Sequence, residues 1–290
     1  MICRLCPRNC GAERTEETAG GFCSQPLLPV LARAGLHLWE EPCLTGKRGA
    51  GAVFFSGCTL RCGFCQNHEI STLGAGKPVS VSRLREIFRA LEAEGASCLD
   101  LVTGTQFTDA ILEALESAPG IPVVWNTGGY ERIETLRRLE GHVQVYLPDL
   151  KYADADLALR CSRAADYPEV ARAAILEMVR QTGPYELDGE GLLRRGVLIR
   201  HLMLPGQLPD TKRVIDFVAS FPPGTVLFSL MRQFTPLANA EALGLGRRIT
   251  AGEYRAACGY MAACGITDGY TQGTGAADEA FVPAFDFTGI

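Results

Sequence analysis

Three features predict an α/β protein built as a partial (β/α)6 barrel of the TIM type with an N-terminal cysteine-rich, metal-binding extension. Strands alternate with helices over most of the chain, three closely spaced cysteines follow the first strand, and a second cysteine set precedes it. A length of 290 residues suits one such barrel with a small appendage. The expected division is 1–50 for the extension, 51–270 for the barrel and 271–290 for a tail.

The β-rich run Ala52-Val53-Phe54-Phe55-Ser56 opens the alternation. Leu84, Ile87, Phe88 and Leu91 then recur at helical spacing within 82–94. A strand at 99–102, a helix near 108–117, a strand at 122–125 and a helix near 131–140 follow, the last closed by Gly141. Further strands are expected at 143–147, 196–204 and 225–231, and further helices at 168–181, 211–220 and 251–264. Strands joined through helices pair in parallel, and right-handed crossovers leave a barrel or a doubly wound sheet. No Gly-x-Gly-x-x-Gly follows the first strand, which weighs against a dinucleotide fold. The end of the chain is rich in Gly and Ala, with Phe281, Phe285 and Phe287, and reads as an extended tail.

Composition bounds the function classes. A net charge of -5 supplies no basic field for gripping a phosphate backbone, so no nucleic-acid partner is expected. No apolar run has the ~18 residues of a membrane span, and the start lacks a signal-peptide pattern. The expectation is a cytoplasmic protein with no membrane partner. In a reducing compartment, twelve cysteines speak for metal ligation over disulfides.

Cys58-Thr-Leu-Arg-Cys62-Gly-Phe-Cys65 sets three thiols on one short loop. Three thiolates hold three irons of a cubane and leave the fourth open, whereas electron-transfer clusters use four. Structural zinc is the competing reading, with His68 as a fourth ligand. Cys3, Cys6, Cys10 and Cys23 form a second set of four, enough to close either a zinc site or a second [4Fe-4S] cluster. The remaining cysteines read as buried apolar residues, with Cys43 the one that could face the site.

The C-x3-C-x2-C spacing, the aromatic Phe64 and the preceding strand resemble the radical S-adenosylmethionine (SAM) superfamily. Glu40-Glu41-Pro42-Cys43, Phe54-Phe55-Ser56-Gly57-Cys58 and Cys65-Gln66-Asn67 resemble relatives of the pyruvate formate-lyase activating enzymes, the PflX-like subgroup. The resemblance implies a [4Fe-4S] cluster on Cys58, Cys62 and Cys65 that cleaves SAM reductively to a 5′-deoxyadenosyl radical for hydrogen abstraction. It implies a reductant such as flavodoxin or ferredoxin, and a glycyl-radical enzyme as protein substrate. The alternatives are a radical modifier of a peptide or small metabolite, and an accessory metalloprotein without SAM chemistry.

Residue by residue, the resemblance implies that Asp149 and Lys151 lie beside SAM. Asn126 and Thr127 match a turn that binds SAM or a monovalent cation, with Asn126 standing where an Asp is familiar. Arg200 and His201 match a strand whose cation approaches SAM, and alternation turns only one of them inward, with His201 favoured. Thr103, Gly104 and Thr105 stand where many relatives carry Gly-Gly-Glu for the methionine amine, so hydroxyls or backbone would take that contact.

Overall fold

The computed structural model describes residues 2–117, 119–273, 275 and 283–290. In chain order its strands are β1 (Val30–His37), β2 (Ala50–Phe55), β3 (Lys77–Pro78), β4 (Leu99–Val102), β5 (Val123–Thr127), β6 (Val145–Pro148), β7 (Glu186–Leu187), β8 (Leu193–Leu202), β9 (Leu227–Met231) and β10 (Gly269–Thr271). The helices are α1 (Pro42–Thr45), α2 (His68–Ser71), α3 (Val81–Ala93), α4 (Thr108–Ala114), α5 (Ile133–Leu139), α6 (Ala155–Ser162), α7 (Tyr167–Thr182), α8 (Leu208–Ala219) and α9 (Ala251–Ala263).

Local chemistry sets several boundaries. Ser80 caps α3 by accepting from the Arg83 N–H, and Asp154 caps α6 by accepting from that of Leu157. Thr250 and Glu253 form a reciprocal capping box on α9. Pro168 enters α7 in its first turn, where its missing N–H costs nothing, and Gly183 ends it.

The strand order is β10-β9-β8-β6-β5-β4-β2-β1-β3, with β7 against β8. From β2 through β4, β5, β6, β8 and β9 to β10 every pairing is parallel. This is the expected partial barrel, left open between its two edges.

The register assigns the two faces. Val53, Leu101, Trp125, Tyr146, Ile199 and Phe228 point outward into the large core beneath the helices. Residues of the other parity point into the lumen. Its floor is apolar: Cys43 and Leu44 of α1 pack with Ala50, Cys98, Val124 and Val145. Cys43 therefore lies in the floor and does not face the three-cysteine loop.

The expected boundaries shift. Residues 30–37 form β1, which pairs antiparallel with β2 from Leu31↔Phe55 to His37↔Ala50. The barrel thus begins about twenty residues before the expected boundary at 51, and the extension shrinks accordingly. Thr271, assigned to the tail, belongs to β10. Residues 283–290 lie along β1, where the Phe287 N–H donates to Ala32 O at 3.1 Å and the Ala34 N–H to Thr288 O at 2.9 Å. Phe285 meets Phe54 edge-on at 5.6 Å, so the chain end attaches at the edge opposite β10. Phe281 lies outside the described residues. Among the described residues, no helix is long and apolar enough to cross a membrane.

Candidate active site

The loops at the carboxyl ends of β2, β4, β5 and β6 gather on one face of the barrel, where enzymes of this architecture carry their chemistry. The loop 56–65 leaves β2 there. Its thiols are neighbours: burial and the Cys62 sulfur push Cys58 up, and burial followed by Cys62 pushes Cys65 up to about 12. Donors are aimed at the sulfurs. The Leu60 N–H points to Cys58 Sγ at 3.3 Å, the Ser162 hydroxyl to Cys62 Sγ at 3.0 Å, and the Ser71 hydroxyl bonds Cys65. Tyr152 in turn bonds Ser162 at 2.7 Å. A ligand that binds these sulfurs as thiolates must first displace their protons, and the donors then stabilise the charge left behind.

Among the described residues, no three Cys, His, Asp or Glu side chains converge on one ion position. Three thiols on one loop, each with a donor on its sulfur, fit the three protein ligands of a cubane. Phe64 packs edge-on against Phe234 at 5.7 Å and Tyr152 at 6.5 Å, as part of the wall beside the loop.

Next to the loop, a charged network crosses the lumen. Lys151 Nζ meets Asp149 Oδ2 at 2.6 Å. Arg200 Nε meets Asp149 Oδ1 at 3.0 Å, its NH1 meets Glu40 Oε1 at 2.8 Å, and its NH2 donates to Asn126 Oδ1 at 2.7 Å. The Asn126 amide donates to Glu40 Oε2 at 3.0 Å and Asp100 Oδ2 at 3.3 Å. Burial alone would raise Asp149, but Arg200 and Lys151 outweigh it and hold the carboxyl below its ordinary range. Burial opposes the charge on Lys151, and Asp149 reverses that, keeping the ammonium protonated. Lys151 also lies close enough to the thiols to lower Cys58 and Cys65.

Gly128 and Gly129 let the β5 loop pass beneath. A Cβ on Gly129 would sit 2.3 Å from Asp149 O, and its φ of 77° is one that glycine adopts without strain. The Tyr167 hydroxyl then ties the loops together, its single proton shared between Asp149 O at 2.7 Å and Gly128 O at 2.9 Å while its oxygen accepts from the Lys151 N–H at 2.8 Å.

The structure thus brings together Cys58, Cys62, Cys65, Asn126, Asp149, Lys151 and Arg200. It separates others. His201, the favoured inward residue, points away from the lumen: Nδ1 bonds Leu150 O at 2.7 Å and Nε2 bonds Thr211 of α8 at 3.0 Å. Burial lowers it to about 4, so the ring is neutral and structural. Arg200 takes the inward position because it stands opposite Ser229 on the lumen side of β9.

Thr105 and Thr127 are also engaged elsewhere. Both donate to Glu131 Oε1, at 2.6 and 2.5 Å, together with Trp125 Nε1 at 3.3 Å. Thr103, by contrast, sits at the mouth with φ 62°, a strained value for a β-branched residue and one concentrated at functional sites.

The N-terminal segment docks on the same face. Arg8 donates to Thr59 O at 2.8 Å, Ser162 O at 2.6 Å, Leu60 O at 3.5 Å and Arg163 O, so it clasps the three-cysteine loop. Phe22 stacks on that guanidinium at 3.9 Å. Buried Arg14 bonds Gln25 O at 2.9 Å, Gln106 O at 2.8 Å and Cys3 Sγ at 3.3 Å. Cys6 feels Cys23 and Cys3, and Cys23 feels Cys3 and Cys10. Cys3, Cys6 and Cys23 are buried and Cys10 is exposed. The four are neighbours and do not yet form a closed tetrahedron.

Sequence reading missed Glu40, Glu41 and Asp100 as lumen residues, and Arg8, Ser162 and Glu131 as supports. Asp100 left a signal, a lone acid in the apolar strand Leu99-Asp100-Leu101-Val102. Glu131 left none, because its burial and its bond from Thr105 arise only once β5 is set beside the loop after β4.

A sequence model of the Radical SAM superfamily matches residues 52–218. An uncharacterized protein of Methanocaldococcus jannaschii is 29% identical over 260 residues, covering 86% of this chain and 70% of its own length. Two solved structures of SuiB from Streptococcus suis share the fold at 13% identity. One, bound to S-adenosylmethionine, has a TM-score of 0.53 over 76% of this chain and 49% of SuiB. The other, bound to the precursor peptide SuiA, has a TM-score of 0.52 over 76% and 47%. The chain thus spans about half the length of SuiB.

Proposed function

The chain belongs to the radical SAM superfamily, and from that premise we propose that Cys58, Cys62 and Cys65 hold a [4Fe-4S] cluster that cleaves SAM for hydrogen abstraction. The observation that carries this is the loop itself, with three adjacent thiols and donors trained on each sulfur beside a protonated Lys151. When bound, the cluster supplies the electron that breaks the sulfur–C5′ bond of SAM, and the radical chemistry is the cofactor's own.

The protein's part is to bind, orient and shield. Lys151 spends one donor on Asp149 and has two more for the SAM carboxylate. Asp149 fixes that ammonium in place, and the backbone at Thr103, Gly104, Gly128 and Gly129 offers polar groups for the amine and ribose. All three guanidinium nitrogens of Arg200 already have partners, so it acts by holding Asp149 and Asn126. Asn126 turns its oxygen onto Arg200, which speaks against a monovalent cation there.

On the N-terminal side, Cys3, Cys6, Cys10 and Cys23 are proposed to bind zinc or a second [4Fe-4S] cluster. A Cys6 sulfur bonded by the Arg8 N–H, with the Arg8 guanidinium on the Leu60 carbonyl, supports a path for electrons from a donor such as flavodoxin or ferredoxin.

Anaerobic reconstitution with iron and sulfide, then dithionite and SAM, is expected to release 5′-deoxyadenosine. A protein with intact cysteines that binds no cluster or releases none of this product would be an accessory metalloprotein. In deuterated buffer with a partner enzyme, an α-hydrogen-exchanging glycyl radical identifies an activase of the pyruvate formate-lyase activating type. A peptide or metabolite of altered mass identifies the modifier instead.

A further inference from the structure

Between the three-cysteine loop and the apolar floor lies a layer of charge that the proposed chemistry leaves unexplained. Asp100 sits mid-strand on β4, facing the lumen, with 0% exposure. Its Oδ2 accepts from Asn126 at 3.3 Å, and its Oδ1 has no partner among the described residues. A buried carboxylate oxygen left unbonded costs about 1–3 kcal/mol or more, so native proteins rarely keep one without a use.

The charges in the layer do not balance. Four carboxyls, Glu40, Glu41, Asp100 and Asp149, face two cations, Arg200 and Lys151. Among the described residues, the ion pairs of the layer all go to Glu40 and Asp149. Asp100 and Glu41 are left over. Glu41 is surrounded by Glu40, Arg200, Ser229 of β9, Asp149 and, on the floor side, Cys43 and Tyr270 of β10. Asp100 is faced by Glu40, Arg200, Asn126 and Cys98.

Ala52 stands opposite Asp100 in the β2–β4 register, with Ala50 below it and Phe54 above, so the residues of β2 nearest the carboxyl are small. On the side of the cluster loop, Lys151 and Asp149 keep 22% and 17% side-chain exposure.

We propose that Asp100, with Glu41 and Glu40, forms the binding site for a positively charged group of the substrate, an ammonium or a guanidinium, inserted from the cluster face. The proposal deepens the radical SAM reading by naming a substrate class for the same lumen. The cation would give Asp100 Oδ1 its missing partner and neutralise the unpaired carboxyls. Without it, burial and then Glu40 hold Asp100 well above its ordinary range and Glu41 at about 7, so protons take the cation's place. The charged group can belong to a free amine or to a Lys or Arg side chain of a peptide.

Calorimetric titration of the reconstituted protein with SAM tests this, using agmatine, 1,5-diaminopentane and a hexapeptide with one central Lys, against glutarate and 1-pentanol. At least one cationic probe is expected to bind and the two controls are not. Asp100→Asn keeps the shape and removes the charge, and should weaken that binding by about 30-fold or more. Glu41→Gln is the independent second variant. Wild-type binding should tighten from pH 6 to pH 8, as Glu41 and Asp100 give up their protons, and this dependence should be weaker in Glu41→Gln, where only Asp100 is left to titrate.

Binding of the peptide alone assigns the charge to a peptide side chain, and binding of the free amines to a small metabolite. The proposal is overturned if no cationic probe binds, if the controls bind as well, or if both variants bind like the wild type. SAM cleavage is measured on the same wild-type sample. Cleavage without cation binding sinks this site alone, and cation binding without cleavage sinks the radical reading alone.

Discussion

Exchange of Cys62 for Ala removes the iron–sulfur absorbance, drops iron from about four per loop cluster to near zero, and takes 5′-deoxyadenosine release to background. Cys62 is the most buried of the three thiols, and its sulfur is the one bonded by Ser162. Two thiolates cannot hold the cubane that three hold. Ser162→Ala is the informative companion. It leaves every ligand in place and removes only the hydroxyl on the sulfur, so the cluster should assemble with affinity lowered by about 10–100-fold. Iron and sulfide analysis of both variants, with the N-terminal cysteines replaced in parallel to subtract their metal, separates the two effects.

Arg200→Met is the second large effect. Its guanidinium neutralises Glu40 and Asp149 and fixes Asn126, all inside the barrel. A methionine of similar length leaves both carboxylates buried without it, and breaking a buried pair in this way costs about 3–5 kcal/mol. For a chain of this size that is a fall in melting temperature of about 10 °C. The pH dependence has a defined sign. Arg200 helps to hold Asp149 below its ordinary value, so the wild type gains stability above the unfolded carboxyl range and loses it as pH falls through the folded value. The gap between wild type and variant should therefore narrow in acid. Urea unfolding at pH 7.5 and at pH 2.5, below the ordinary aspartate value, reads both quantities.

Much of the barrel was legible in the sequence because local pattern and tertiary position agree. Leu99–Val102 is a strand with the bounds its composition suggests, and α3 follows the spacing of Leu84, Ile87, Phe88 and Leu91. What was not legible depends on register or on distant partners. The segment Val30–His37 carries Ala, Gly and Arg among its apolar residues and becomes a strand only because β2 offers it an edge. Alternation says that one of Arg200 and His201 faces inward, but the choice is made by pairing with Ser229. Thr105 and Thr127 read as mouth residues until Glu131 draws their hydroxyls away. Arg8 looks like one of many surface arginines, and its four carbonyl partners lie about 50 and about 155 residues away.

Electron paramagnetic resonance of the dithionite-reduced protein, with Cys3, Cys6, Cys10 and Cys23 replaced, shows whether the three-cysteine loop carries a cluster with one iron open to SAM. A reduced-cluster signal is expected whose g values shift when SAM is added and which vanishes in Cys62→Ala. A signal unmoved by saturating SAM, or no signal with the loop cysteines intact, would contradict this assignment.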